Sequence, residues 1–438
     1  MRFIQLLYVA LFFCLPLSVE NLSLGFGVNM PTEPIELLIA ICLLFQYKAI
    51  IQMLQSVCKN PLFISIVALS VFSWLSCFSS QMPIVSIKYT IIETLHLLVF
   101  VIGIILVEKE TPKFFLKCIF AYTVSLVLLL FHAWYLQAQY NFVIDFSAAA
   151  MRPFYKDHPL YGSAIAFLLP FWIYLCFSQK KYVLPAAFKK TAPLVVILLM
   201  VGLFLSFSRA AWFTFVFALI FSLLLYYFRN KIQQLIIAFA FFSIAILLCA
   251  ALLFKTAQTA EAVKSSSVKN QFLSAFNWTY DVANLERLNR YKCALRMFKE
   301  KPLTGFGNNM YKFSYFNYQL KEDLTRISLT HTVAFERLGT GGNSHSDYLA
   351  TLTELGIGGF AAWCGIVFFA LWFTLRKFFK EQQTIFLVIF FALLTYVLHV
   401  TVNNFMHEEK ISALFWMCCG VILADGYHSN ATKFTNAG

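Results

Sequence analysis

Residues 341–359 read GGNSHSDYLATLTELGIGG, with one histidine, His345, between two serines and nine residues from Ser346 to a glycine cluster. An imidazole titrates nearer neutrality than other side chains and can take a proton from a hydroxyl, but a polar residue here also serves simply to begin a helix. Asn343 and Ser344 can cap such a helix, whose positive end disfavours the imidazolium and keeps a neutral, proton-accepting ring near pH 7. The same helix end attracts phosphate, so a base and an anionic leaving group can share one site. Two further stretches carry cations. Leu205 to Trp212 reads LSFSRAAW and sets Arg209 at the junction of two apolar runs. Arg287 to Gly307 reads RLNRYKCALRMFKEKPLTGFG. Taken singly, Arg209 is an interfacial arginine reaching for headgroups or an anion ligand. Arg287, with Arg290 three residues on and on a neighbouring part of the same helix face, is a solvated charge or a phosphate contact.

The elements that position these residues follow from composition. The chain has 438 residues, 60% of them hydrophobic and 13% charged, with 50 Phe and a mean hydropathy of +0.73. Globular proteins carry about 25% charged residues, so this is an integral membrane protein. Its apolar runs approach the roughly 20 residues a helix needs to cross a bilayer core, which predicts helices and not a barrel. The expected fold is all-α, with about twelve transmembrane helices near 3–19, 34–53, 61–79, 84–107, 114–136, 160–178, 191–207, 210–228, 232–254, 348–375, 383–402 and 411–427. The first run follows Arg2, but no small-residue cleavage site follows it, so it reads as retained.

Charge orients the bundle. Placing the N-terminus inside puts Lys48, Lys59, Lys109, Lys113, Lys180, Lys181, Lys189, Lys190, Arg229, Lys231, Arg376, Lys377 and Lys380 on cytoplasmic connections, while residues 20–33 outside have no Lys or Arg. The polar stretch 255–347 is then outside, and its length marks it as functional. Four parts result: N-terminal membrane helices (1–150), central membrane helices (151–254), a long periplasmic loop with amphipathic helices (255–347), and C-terminal helices with a short cytoplasmic tail (348–438). Within the loop, residues 257–283 read as irregular, and 284–300 as a helix on the outer surface with Leu288, Tyr291, Leu295 and Phe298 along one face, ended by Pro302, Gly305 and Gly307. The net charge of +13 is spread over short loops, so nucleic acid is not implied. Of eleven cysteines only Cys293 lies in the long loop, which argues against a disulfide framework or a Cys-rich metal site. No internal repeat and no phosphate-binding P-loop is evident.

In their order and spacing, S-R-x-x-W at 208–212, R…P-x-x-G-x-G at 287–307 and H-S-x9-G-x-x-G at 345–359 make the chain resemble the bacterial O-antigen ligase family, within the superfamily that also holds O-antigen polymerases and protein O-oligosaccharyltransferases. The resemblance covers roughly residues 150–425, and the histidine motif is its most ligase-specific part; Tyr291 stands where relatives often have Trp. It implies an inner-membrane glycosyltransferase facing the periplasm. Such an enzyme moves a preassembled glycan from undecaprenyl pyrophosphate to a sugar hydroxyl of lipid A-core, without nucleotide, metal or other cofactor. Membrane lipids complete its partners. On that reading Arg209 and Arg287, assisted by Arg290, clamp the diphosphate, since guanidinium groups are permanently charged and match phosphate oxygens. His345 is the base. Gly356 and Gly359 read as sites of close helix packing.

Other residues read as structural. His331 and Glu336 are solvated loop groups, and Asp157 and His158 either line the acceptor's approach or cap a helix. Nothing in the residues excludes a covalent intermediate on Glu336 or Asp347. A polymerase shares the arginines but adds a site for a second lipid pyrophosphate. A protein O-oligosaccharyltransferase commonly carries a larger soluble C-terminal region, whereas this chain stops soon after its last span. A transporter places charges near the bilayer midplane and shows repeated halves; here the polar groups gather at the outer ends. Cysteine labelling in intact cells should place residues 180–190 and 376–382 in the cytoplasm and 260–340 outside, and a cytoplasmic long loop would overturn the orientation.

Overall fold

The computed structural model describes residues 1–21, 27–143, 146, 149–178, 186–231, 233–244, 248, 276–277, 281–323 and 342–435. His331, Glu336, Lys180, Lys181, most of the stretch read as irregular and the end of the 232–254 run lie outside them. A helix occupies each of the twelve apolar stretches. Among the described residues, however, only six helices are long and apolar enough to cross a membrane, or seven if one bent pair counts as a single span. The pair is Thr32–Leu44 and Tyr47–Val57, which turn by 87° and break the span expected at 34–53. Lys48, Gln52, Gln55 and Ser56 make the second helix amphipathic, suited to lie in an interface and not to cross it. The first run is a helix only over Arg2–Cys14, and a small antiparallel ribbon follows, Val19–Asn21 paired with Val28–Met30, which an all-α reading did not include.

The core joins the helices Phe115–Gln139, His158–Phe177, Arg209–Tyr227, Thr384–His399 and the membrane part of Glu409–Thr435. Trp172 and Trp363, with 1% and 0% exposure, are its largest fully buried side chains. Helix Asp347–Glu381 packs along Pro61–Ser76 on one side and Thr384–His399 on the other. A smaller apolar cluster sits above: Cys293, Ala294 and Met297 of helix Val282–Glu300 against Phe306, Met310, Tyr311 and Tyr315. This reverses the face expected for that helix. Leu295 is 47% exposed, while Glu286, Arg290 and Cys293 are buried, because the chain at 302–318 folds back over them.

Gly356 corrects the packing-site reading. It interrupts helix Asp347–Glu381 with φ 71° and ψ −170°, a backbone conformation open essentially to glycine alone. The chain after Pro302 lies in the gap. Phe306 N donates to Thr353 O at 3.0 Å, Gly307 N to Glu354 O at 3.0 Å, and Ile357 N to Pro302 O at 2.8 Å. Carbonyls released by the break are thereby satisfied, as buried backbone must be. The Glu354 carboxylate takes two more amides of the same chain, Asn309 N at 3.1 Å and Tyr311 N at 2.9 Å. A Cβ on Gly356 would stand 2.4 Å from Leu303 O, and one on Gly305 (φ 66°) 2.2 Å from Glu354 O. Gly356→Ala should therefore lower stability by at least roughly 1–3 kcal/mol, read as a fall in the thermal unfolding midpoint of the detergent-purified protein; an unchanged midpoint would contradict this account of the break.

Candidate functional site

Each candidate residue stands at or near the start of a helix, at the end of the bundle that carries the 302–318 cover. Ser208 caps helix Arg209–Tyr227 by accepting Ala211 N at 3.3 Å, which makes Arg209 the first helical residue. Trp212 Nε1 donates back to Leu203 O at 2.7 Å and its ring stacks on Phe204 at 5.8 Å, so the S-R-x-x-W spacing closes a tight corner between two helices. Asp281 then places the arginine: Oδ1 caps helix Val282–Glu300 through Asn284 N at 3.0 Å, while Oδ2 accepts Arg209 Nη1 at 3.0 Å. One carboxylate thus joins the start of the second helix to the cation of the first.

Arg287 lies in the second turn of that second helix. Its Nε donates to Val402 O at 3.3 Å and its Nη1 to Asn284 Oδ1 at 3.2 Å, both uncharged partners. Burial and the neighbouring charge of Arg209 lower its pKa. Two guanidinium groups within each other's field, one with no carboxylate of its own, form a place where an anion relieves repulsion. Arg290 is different. It is 2% exposed, its Nε donates to Glu286 Oε1 at 2.9 Å, and its guanidinium carbon lies 3.8 Å from the centre of the Tyr315 ring. Its group is built into the small apolar cluster, and Gly342 passes close over it.

His345 stands one residue before the helix cap and not, as expected, at the start of a helix capped by Asn343 or Ser344. Ser346 is the cap, its hydroxyl 3.5 Å from Leu349 N, and the helix begins at Asp347. His345 has φ 54°, in the left-handed region, and is held there by its neighbours: its N–H donates to Asn343 Oδ1 at 3.0 Å, and its carbonyl accepts from the Tyr291 hydroxyl at 3.4 Å. Tyr291, in the place where relatives often carry Trp, also donates to Thr401 O at 2.9 Å and so spans from the histidine to the 400–406 segment. The imidazole keeps partial surface exposure but is enclosed by enough protein to lose most of its hydration. That burial, with the positive charges of Arg287 and Arg290, pushes its pKa down to about 3. The causes are burial and the neighbouring arginines, which differ from the helix-end effect expected from the sequence.

Asp347 is completely buried, and its acceptors are occupied by Phe405 N at 2.7 Å, Met406 N at 3.1 Å and the Tyr396 hydroxyl at 3.3 Å. These bonds fasten the 400–406 segment to the histidine loop and leave the carboxylate poorly placed as a nucleophile. Asp157 caps helix His158–Phe177 through Leu160 N at 3.0 Å. His158 joins the cation site: Nδ1 bonds Ser206 O at 3.0 Å, and the ring lies in the field of Arg209 and Arg287. His399, not singled out from sequence, lies in the field of Arg287 and near His158, with both ring nitrogens buried and without a hydrogen-bond partner. Its only signal was a histidine followed by a polar run, TVNN, at the outer end of an apolar stretch. Among the described residues no group of three or more His, Cys, Asp and Glu is arranged to hold a metal ion.

The two loop arginines separate in stability. Arg290→Ala leaves Glu286 buried beside a lost partner and should destabilise the protein by about 3–5 kcal/mol, whereas Arg287→Ala, whose partners are uncharged, should shift the unfolding midpoint far less. Equal shifts in the two variants would remove the distinction.

Residues 194–364 match the family model described as O-antigen ligase. No curated protein matches the chain. The matched stretch contains Arg209, Arg287, Arg290 and His345 and ends inside the broken helix, while His158 and His399 flank it. The motifs and this match agree: over residues 194–364 the chain is similar to the O-antigen ligase family.

Proposed function

We propose that this membrane protein, a glycosyl-transferring enzyme by its family, is an O-antigen ligase. It moves a preassembled glycan from undecaprenyl pyrophosphate to a sugar hydroxyl of lipid A-core, at the periplasmic face of the bacterial inner membrane. The observation that carries the reading is the pair Arg209 and Arg287, brought together at the starts of two helices joined through Asp281, with Arg287 also among the charges that disfavour protonation of a buried His345. Such a site selects a multiply charged anion and offers a neutral base beside it.

The chemistry follows. The acceptor oxygen forms a bond to the anomeric carbon of the glycan, the bond from that carbon to the diphosphate oxygen breaks, the electron pair leaves with undecaprenyl diphosphate, and the acceptor proton passes to His345. Arg209 and Arg287 hold the diphosphate and meet the charge that grows on it; the reading requires no metal. Arg290, committed to Glu286 and Tyr315, supports the loop and adds field without touching the phosphates. A base with a pKa of about 3 is weak in the free protein. A bound diphosphate offsets the charge of Arg287, one of the two arginines that contribute to that value, so the donor raises the proton affinity of His345 against the burial that remains.

His345→Ala should lower turnover by about 10² to 10⁴-fold while donor binding persists, whereas Arg209→Ala and Arg287→Ala should lose donor binding, with Lys rescuing only in part. Purified protein, lipid-linked glycan and lipid A-core in the presence of chelator provide the assay; normal turnover by His345→Ala would sink the assignment. The pH dependence is a second check. Activity needs the neutral imidazole, so the rate falls as pH drops through its pKa. The acid limb of kcat, which reports the donor complex, should lie at higher pH than that of kcat/KM, which reports the free enzyme. Coincident limbs would show that the diphosphate does not act on the histidine.

A further inference from the structure

A second polar site lies largely outside the stretch that the family match covers. A cavity of about 270 Å³ opens between the middle and end of helix Pro83–Leu97, the start of Glu409–Thr435 and the 404–408 connection, with Asn309, Lys312 and Asn343 completing its wall. It touches the histidine loop indirectly. Asn343, which holds the His345 amide, and Asn404, whose Nδ2 lies 3.4 Å from Ser344 Oγ, both line it, while Arg209 and Arg287 do not.

Two of its lining groups are poorly satisfied. Glu409 is 5% exposed and His96 7%; neither carboxylate oxygen of Glu409 nor Nε2 of His96 has a well-aligned hydrogen-bond partner, although Thr32 and Glu36 interact with Glu409. Glu36, 0% exposed behind them, has its Oε2 3.1 Å from His96 Nε2 without the alignment of a hydrogen bond. Buried carboxylates and imidazoles cost free energy unless something bonds them, and such orphans call for an explanation. A ligand that donates to the carboxylate and accepts from neighbouring lysines satisfies them. The wall mixes charges, with Glu33, Glu93 and Glu409 facing Lys88 and Lys312, and the Trp416 indole supplies an apolar patch. Hydroxyl groups both donate and accept, and a pyranose adds an apolar C–H face for an aromatic ring. The volume admits one sugar ring.

We infer that this cavity binds a sugar ring of the glycan acceptor, adjacent to the ring that carries the reacting hydroxyl. The inference rests on the ligase reading for its choice of acceptor over donor. The first donor sugar must sit against the diphosphate, which the arginines hold, and direct displacement brings the acceptor from the opposite side. The cavity, lined by no arginine and reaching the histidine loop through Asn343 and Asn404, offers that second approach. Glu409 is then a specificity-determining residue, accepting hydrogen bonds from ring hydroxyls.

The test uses full-length protein in detergent and, as probe, core oligosaccharide released from lipid A, titrated without donor and with EDTA present. Wild-type protein should bind it, Glu409→Gln and the half-buried Glu33→Gln should each weaken binding about tenfold or more, and Arg209→Ala should leave it unchanged. In the transfer assay Glu409→Gln should raise the KM for lipid A-core by a similar factor and leave the donor KM alone. Unfolding midpoints check that the variants fold; if Glu409→Gln does not, Glu33→Gln decides. No binding by the wild type, equal binding by the variants, or binding abolished by EDTA, which would place a cation in the cavity, overturns the proposal. Oligosaccharide binding that Glu409→Gln removes, in a protein that never transfers glycan to lipid A-core, would keep the sugar site and refute the ligase reading.

Discussion

The break of helix Asp347–Glu381 at Gly356, and the chain from Pro302 to Gly307 that bonds into it, hold the rest of the site in place. A membrane helix satisfies all its own backbone groups, so an interruption is tolerated only where other protein supplies partners. Here the P-x-x-G-x-G stretch supplies them, and the glycines are needed because any Cβ would meet a backbone carbonyl at 2.2 or 2.4 Å. Two motifs some fifty residues apart are thereby one structural unit. The consequence reaches the chemistry: the docked chain carries Phe306, Tyr311 and Tyr315, which close over Arg290 and fix the helix that presents Arg287.

Three carboxylates do related work at different joints. Asp281 couples a helix cap to Arg209, Asp347 couples the histidine loop to the 400–406 segment, and Glu354 couples the broken helix to Asn309 and Tyr311. Each accepts bonds from two or more elements, so one side chain sets the relative position of several backbones. Asp281 is bonded to Arg209 and reaches Arg287 only through its field, and the side-chain bonds of Arg287 go to uncharged partners. The protein therefore holds two guanidinium groups near each other at the starts of helices, where the helix ends add to the positive field. That arrangement costs stability in the free protein and is relieved by an anion, which is the expected signature of a binding site and not of a structural ion-pair network.

The same balance explains His345. Its left-handed backbone, two backbone bonds and position just outside the cap leave the imidazole free of a structural hydrogen bond within a crowded, positive surround. The cap belongs to Ser346 because a residue with φ 54° cannot be the extended residue that begins a helix. Helix Val282–Glu300 ties these groups together: its cap Asp281 holds Arg209, its second turn carries Arg287, and its Tyr291 bonds the His345 carbonyl.

The membrane class and the helical stretches were legible in the sequence, because bilayer thickness dictates run length, and motif spacing, a local property of the chain, named Arg209, Arg287 and His345 as the candidates. Tertiary structure decided what depends on distant partners. The span at 34–53 is bent by 87° since its second half is amphipathic, and helix Val282–Glu300 buries its Arg290 face because a later stretch folds over it. Gly356 breaks a helix instead of packing one, as carbonyls and amides from 302–307 must meet there. His399 joins the site through a fold that brings residues over a hundred positions from Arg287 beside it. Periodicity records which residues are apolar and how they repeat along one helix; which neighbour covers a face, and whether a buried charge finds a partner, are settled only when remote segments come together.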